Sequence, residues 1–141
     1  MAKADPTVDM LARVPLFSGL TRKELVQVHG LSKQFRFAPG ETIVTEGEPA
    51  SRFFLVTEGT AHIVSRGRVL RVVQPGDWFG ELALIDEGPR SATVVADTAL
   101  TTLAIAGFNF RPMLKSEASI TFKLLVAVVG WLRDAQSARL V

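Results

Sequence analysis

The sequence has 141 residues, 48% of them hydrophobic and 21% charged, with no cysteine and a formal net charge of +2 at pH 7. This length fits one domain with a packed core, so wholesale disorder is excluded, and the missing cysteines exclude a disulfide framework, thiolate catalysis and cysteine-zinc sites. No basic block marks a nucleic-acid footprint, the N-terminus has no apolar leader core, and the longest apolar run (124–129) is far short of the ~20 residues of a membrane span, so the reading is a soluble cytoplasmic protein without a spanning segment.

In chain order, residues 1–7 read as a flexible tail and 8–141 as a single domain, with N-terminal helices over 8–31, a roll of strands over 33–106 and C-terminal helices over 107–141. Met10, Leu11 and Val14 lie at helical spacing, so Val8–Val14 is expected to be helical until Pro15 stops it. Ser18 or Thr21 can cap a second helix, and Glu24, three residues after Thr21, completes a capping box. Leu20, Leu25, Val28 and Leu31 supply its buried face, and Gly30 ends it.

From Phe35 onward glycines break the chain into short runs rich in Val, Ile, Phe and Thr. Thr42–Val44, Arg52–Thr57, Ala61–Ser65, Val69–Val73, Thr93–Val95 and Leu100–Ile105 read as strands. Short strands with turn signals at this spacing predict a mainly β fold, an antiparallel β-roll resembling a jelly roll, flanked by helices. Ser65-Arg66-Gly67-Arg68 reads as a tight hairpin with Gly67 at positive φ. Gly107 or Asn109 then opens a short helix through Leu114, and Ser119 caps a longer one from Ile120 to about Ala138, with a hinge over 112–116. The long helix is apolar almost all round, so one face is expected to cover the roll and another to meet a second subunit.

The chemistry concentrates in Phe79-Gly80-Glu81-Leu82-Ala83-Leu84-Ile85, then Asp86-Glu87-Gly88-Pro89, then Arg90-Ser91-Ala92-Thr93-Val94. This reads as a strand end, a glycine turn, a one-turn helix, a second glycine turn and a new strand. The N–H groups that open a short helix favour an anion. Arg90, at the strand start, can pair with a phosphate through two parallel bonds. Glu81 would repel phosphate but suits a neighbouring hydroxyl pair such as a ribose. Asp86 and Glu87 are expected to form a solvated turn. Arginine, carboxylate and helix start together describe a sugar-phosphate pocket.

This stretch resembles the phosphate-binding cassette of the cyclic-nucleotide-binding domain family, of the catabolite-activator and protein-kinase-A regulatory-subunit type. It carries F-G-E-L-A-L and R-S-A-T-V in full. Leu11–Leu20, Ala38–Glu41, Glu46–Glu48 and Phe54–Gly59 extend the likeness over roughly Val8 to Gln136. The resemblance implies that Glu81 accepts a hydrogen bond from the ribose 2′-hydroxyl and that Arg90 pairs with the cyclic phosphate. It further implies that Gly80, Leu82 and Ala92 offer backbone N–H groups and that Ser91 donates its hydroxyl to phosphate or base. Trp131, Arg133 and Gln136 on the C-terminal helix are the candidate base contacts. The ligand expected is cAMP, in preference to cGMP, and a sensor of this kind shifts its C-terminal helix on binding.

Other readings stand beside this one. Glu81 and Arg90 can form a structural ion pair, and the domain can be an interaction or dimerisation module whose pocket is vestigial. His29 and His62 lie in different elements with no third ligand, against a metal-binding cupin barrel. No base–nucleophile pair points to catalysis, so no enzyme, cofactor or metal is expected. With no helix-turn-helix following the long helix, no DNA-binding domain is expected and the effector is a separate, unknown chain. A homodimer through the C-terminal helix is the expected assembly.

Overall fold

A computed structural model of the chain describes residues 5–139. They fall into two compact units: a roll, Leu31–Arg111, and a helical unit formed by the stretches before and after it.

The roll has eight antiparallel strands: β1 (Lys33–Phe37), β2 (Thr42–Val44), β3 (Arg52–Glu58), β4 (Ala61–Ser65), β5 (Arg68–Val73), β6 (Trp78–Phe79), β7 (Thr93–Ala96) and β8 (Leu100–Ala106). They form two four-stranded sheets, ordered β1-β8-β3-β6 and β2-β7-β4-β5. The six strands expected from residue pattern are all present. β1 and β6 are additions, and the two residues of β6 are too few to show a period of 2.

Alternation places the core. In β7, Val94 and Ala96 are buried while Thr93 and Val95 are only partly covered. From β3, Phe54 and Val56 join Ala61, Val73, Phe79, Val94, Ala96, Leu100 and Ala104 in one cluster. Phe54 stacks on Phe79 with ring centroids 5.1 Å apart. Burying each large side chain contributes about 1.5–3 kcal/mol, so this cluster holds the two sheets face to face. The β4–β5 hairpin turns as expected, with Arg66 joining Gly67 at positive φ (52° and 76°), the pair a type I′ turn requires.

Between β6 and β7 the chain leaves one sheet and enters the other. The motif stretch is this crossing, with its one-turn helix at Glu81–Leu84.

In the helical unit, α1 spans Pro6–Ala12. Pro6 and Thr7, expected in the tail, open this helix, because Asp5 accepts the Thr7 N–H at 2.9 Å and Pro6 is pre-set for a first helical position. The rest of the expected tail, residues 1–4, lies outside the described residues. A short 3₁₀ turn at Pro15–Phe17 follows, then α2 (Arg22–His29). Thr21 caps α2, and the capping box with Glu24 forms as expected.

α3 spans Gly107–Ser116 and α4 Ala118–Arg139. The division between units falls inside α3, after Arg111. Residues 112–116, expected as a hinge, are helical, with Pro112 inside α3. Ser119 does not cap α4, which begins one residue earlier. Its hydroxyl donates instead to Glu24 Oε2 at 2.9 Å, and Lys123 Nζ donates to Glu24 Oε1 at 2.6 Å. With Thr21 N–H also donating, these bonds hold the Glu24 carboxyl down at about 2, the Lys123 bond having the largest effect. Among the described residues, no helix is long and apolar enough to cross a membrane.

Candidate functional site

The sheet crossing lines a cavity of about 430 Å³, within the size range of small-molecule sites. Its polar wall is the motif itself: Gly80, Glu81, Leu82, Arg90, Ser91 and Ala92 all line it. Its apolar wall comes chiefly from Val44 of β2 and Ile63 of β4, distant in sequence, and from Phe79 and Val94 at the two ends of the motif. The roll residues expected in the site are therefore brought together. Val44 and Ile63 are members the motif could not reveal. They meet there because β2 and β4 both pair with β7, which leaves the crossing.

Arg90 is half-buried. Its Nη2 donates to the Arg52 carbonyl at 2.7 Å, and partial burial lowers the guanidinium from the ordinary arginine value. No ion pair joins it to Glu81 or to any other carboxylate among the described residues. A guanidinium withdrawn from water without a counter-charge is costly, and here it faces a cavity. The backbone around it is fixed: Arg90 N–H donates to Glu48 O (2.8 Å), and its carbonyl accepts from Gly47 N–H (2.9 Å).

Gly80 has φ 78°, in the left-handed region. A Cβ there would meet Arg90 Nη1 and the Arg52 carbonyl at under 3 Å. Glycine thus serves both the turn and the seat of the guanidinium. Glu81, next in the chain, is partly buried and its carboxylate has no hydrogen-bond partner among the described residues. Ser91 is exposed, and its carbonyl accepts from Ser65 Oγ at 3.1 Å.

The turn at Asp86 and Glu87 is exposed, as expected, and each side chain also has a second role. Asp86 lines the cavity, and Glu87 Oε1 accepts from Arg111 Nη2 at 2.9 Å. Trp131, Arg133 and Gln136 lie on α4 in the helical unit, whereas every cavity-lining residue belongs to the roll. His62 pairs with Asp97 at 2.5 Å and His29 with Thr7 at 2.7 Å. Among the described residues, no three His, Cys, Asp or Glu side chains gather as a metal site would need.

The cavity thus sets a guanidinium, a carboxylate and an apolar wall around one space. A family model described as "cyclic nucleotide-binding domain" matches residues 34–117, more than half of the chain. The chain belongs to the cyclic nucleotide-binding domain family. It is similar to the cAMP-dependent protein kinase regulatory subunit of Hypocrea atroviridis, 35% identical over 72% of this chain and 22% of the relative. It is also similar to a cyclic nucleotide-gated potassium channel of Mesorhizobium japonicum, 35% identical over 79% of this chain and 31% of the relative. The chain thus spans less than a third of the length of these curated relatives. Among solved structures it resembles the N-terminal domain of a transcriptional regulator from Streptomyces coelicolor, with 36% identity, a TM-score of 0.86, and coverage of 94% of this chain and 96% of that one. The expected fold, an antiparallel roll with helices before it and a helix pair after it, is the fold of this family domain.

Proposed function

We propose that the chain is a sensor that binds cAMP, in preference to cGMP, in the roll cavity. The observation that carries this reading is Arg90: a half-buried guanidinium, anchored on one side, facing a cavity and lacking a carboxylate partner. A cyclic phosphate there supplies the missing charge through charge-assisted bonds. In this reading Glu81 accepts from the ribose 2′-hydroxyl, while Gly80, Leu82 and Ala92 offer N–H groups. Ser91 donates to phosphate or base, and Trp131, Arg133 and Gln136 are the candidate base contacts. Ligand then shifts α4, to the extent that it binds one helix position better than another, and a separate protein reads the shift. Supporting cAMP is the relative whose name is that of a cAMP-dependent kinase subunit.

Titration calorimetry with each nucleotide tests the proposal. Saturable heat with a tighter constant for cAMP is the expected result; no heat with either at high micromolar protein overturns it.

A second reading rests on α4, where Phe122, Leu125, Val126 and Leu132 are 55–66% exposed. An interaction module whose pocket is vestigial, dimerising through this helix, also accounts for that surface. Light scattering with and without nucleotide separates the two: a dimer indifferent to ligand, with no thermal shift, favours the second.

A further inference from the structure

The two halves of the crossing are secured differently. Its second half is tied by backbone to the 47–50 loop: Ala50 N–H donates to Gly88 O at 2.9 Å, Arg90 N–H to Glu48 O at 2.8 Å, and Pro49 bridges to Pro89. The tip before it, where Glu87 lies, has no such ladder. The Glu87 side chain is held by Arg111 Nη2 at 2.9 Å, from the last residue of the roll unit.

Arg111 is also tucked beneath the one-turn helix. Its Nη1 is buried without a hydrogen-bond partner among the described residues. A Cβ on Gly107 would lie 2.6 Å from that nitrogen and 2.5 Å from the Ala83 carbonyl, so guanidinium and helix end crowd the same glycine. A cation beside the carbonyl end of a helical turn is favourably placed. Only a residue without a side chain at 107 leaves room for both.

We propose that Arg111 is a positioning residue for the nucleotide site. By gripping Glu87 while lying against the one-turn helix, it fixes the span from Glu81 to Arg90, and with it the separation of the ribose and phosphate contacts. Neither Arg111 nor Glu87 touches the ligand in this scheme. The effect on affinity rests on the nucleotide-binding reading above; the effect on the ordering of the tip does not.

The test uses the full chain and the variants Glu87→Gln, Arg111→Gln and the double variant, with two readouts. In calorimetry with cAMP, each single variant is expected to weaken binding about two- to fivefold, the range of a half-exposed ion pair, and the double variant no more than either single one. In hydrogen–deuterium exchange of the ligand-free protein, amides of residues 85–88 are expected to exchange faster in each variant than in the native chain, with the thermal midpoint retained. Native affinity in every variant, or multiplying losses in the double one, overturns the proposal. If the native chain takes up neither nucleotide, the functional reading fails, and unchanged exchange at 85–88 would then overturn the positioning role on its own.

Discussion

The Arg90 guanidinium is anchored through Nη2 on the carbonyl of Arg52, 2.7 Å away, so the protein's own backbone orients the side chain. Such orientation reduces the ordering cost of binding. Arg90→Ala is therefore expected to remove about 1.5–3 kcal/mol of cAMP binding, roughly 10- to 150-fold. Because the guanidinium is partly desolvated without a counter-charge, the ligand-free variant should fold at least as stably as the native chain. Calorimetry paired with thermal melting checks both halves, and normal binding by the variant would sink the phosphate assignment.

Gly80→Ala probes the same seat from the backbone side. An alanine at φ 78° costs about 1–2 kcal/mol, and its methyl would collide with Arg90 Nη1 and the Arg52 carbonyl. The variant should melt earlier and bind cAMP more weakly. A melting point and an affinity both equal to the native values would show that the turn adjusts freely.

Glu81 is tested through the ligand. If its carboxylate takes the 2′-hydroxyl, the native chain should bind 2′-deoxy-cAMP more weakly by roughly tenfold or more, the scale of a hydrogen bond to a charged group. Glu81→Ala should lower cAMP affinity and abolish that discrimination. Discrimination that persists in the variant would place the 2′-hydroxyl elsewhere.

The helical unit carries a pH dependence of its own. The Glu24 carboxyl is held at about 2, below its ordinary 4.5, by Lys123 first and by the Thr21 N–H and Ser119 as well. A depressed carboxylate contributes stability that is fully present above the unfolded value and is lost as pH falls through the folded one. The melting temperature should therefore fall as pH drops from about 4.5 towards 2. Glu24→Gln should melt lower than the native chain at neutral pH and show a flatter acid limb. Parallel acid limbs in calorimetric scans would count against this assignment.

The parts legible in the sequence are those written in neighbouring residues. Thr21 and Glu24 form their box because both partners lie within one turn, and Val94 and Ala96 alternate inward as a strand period requires. The cassette was recognisable because its cavity-facing polar residues are contiguous with their glycine turns. Features made by distant partners were not legible. Ser119 looked like a cap, yet α2 supplies Glu24 as its acceptor from 95 positions away. Glu87 is as exposed as expected, but its ion pair was hidden because Arg111 lies 24 positions further on. Val44 and Ile63 are ordinary strand residues until sheet pairing sets them around the cavity.

The cassette occupies the one passage from β6, at the edge of its sheet, to β7, inside the other. Such a passage can change its letters more readily than its length. Remove one residue between Leu84 and Arg90, and the remaining chain has two choices. Arg90 can slip off the Arg52 carbonyl, or β7 can slide by one position and exchange Val94 and Ala96 for Thr93 and Val95 on the core face. The spacing of the proposed ligand contacts and the inside–outside parity of a core strand are thus a single quantity, and a deletion here would be felt as a folding defect as much as a binding one.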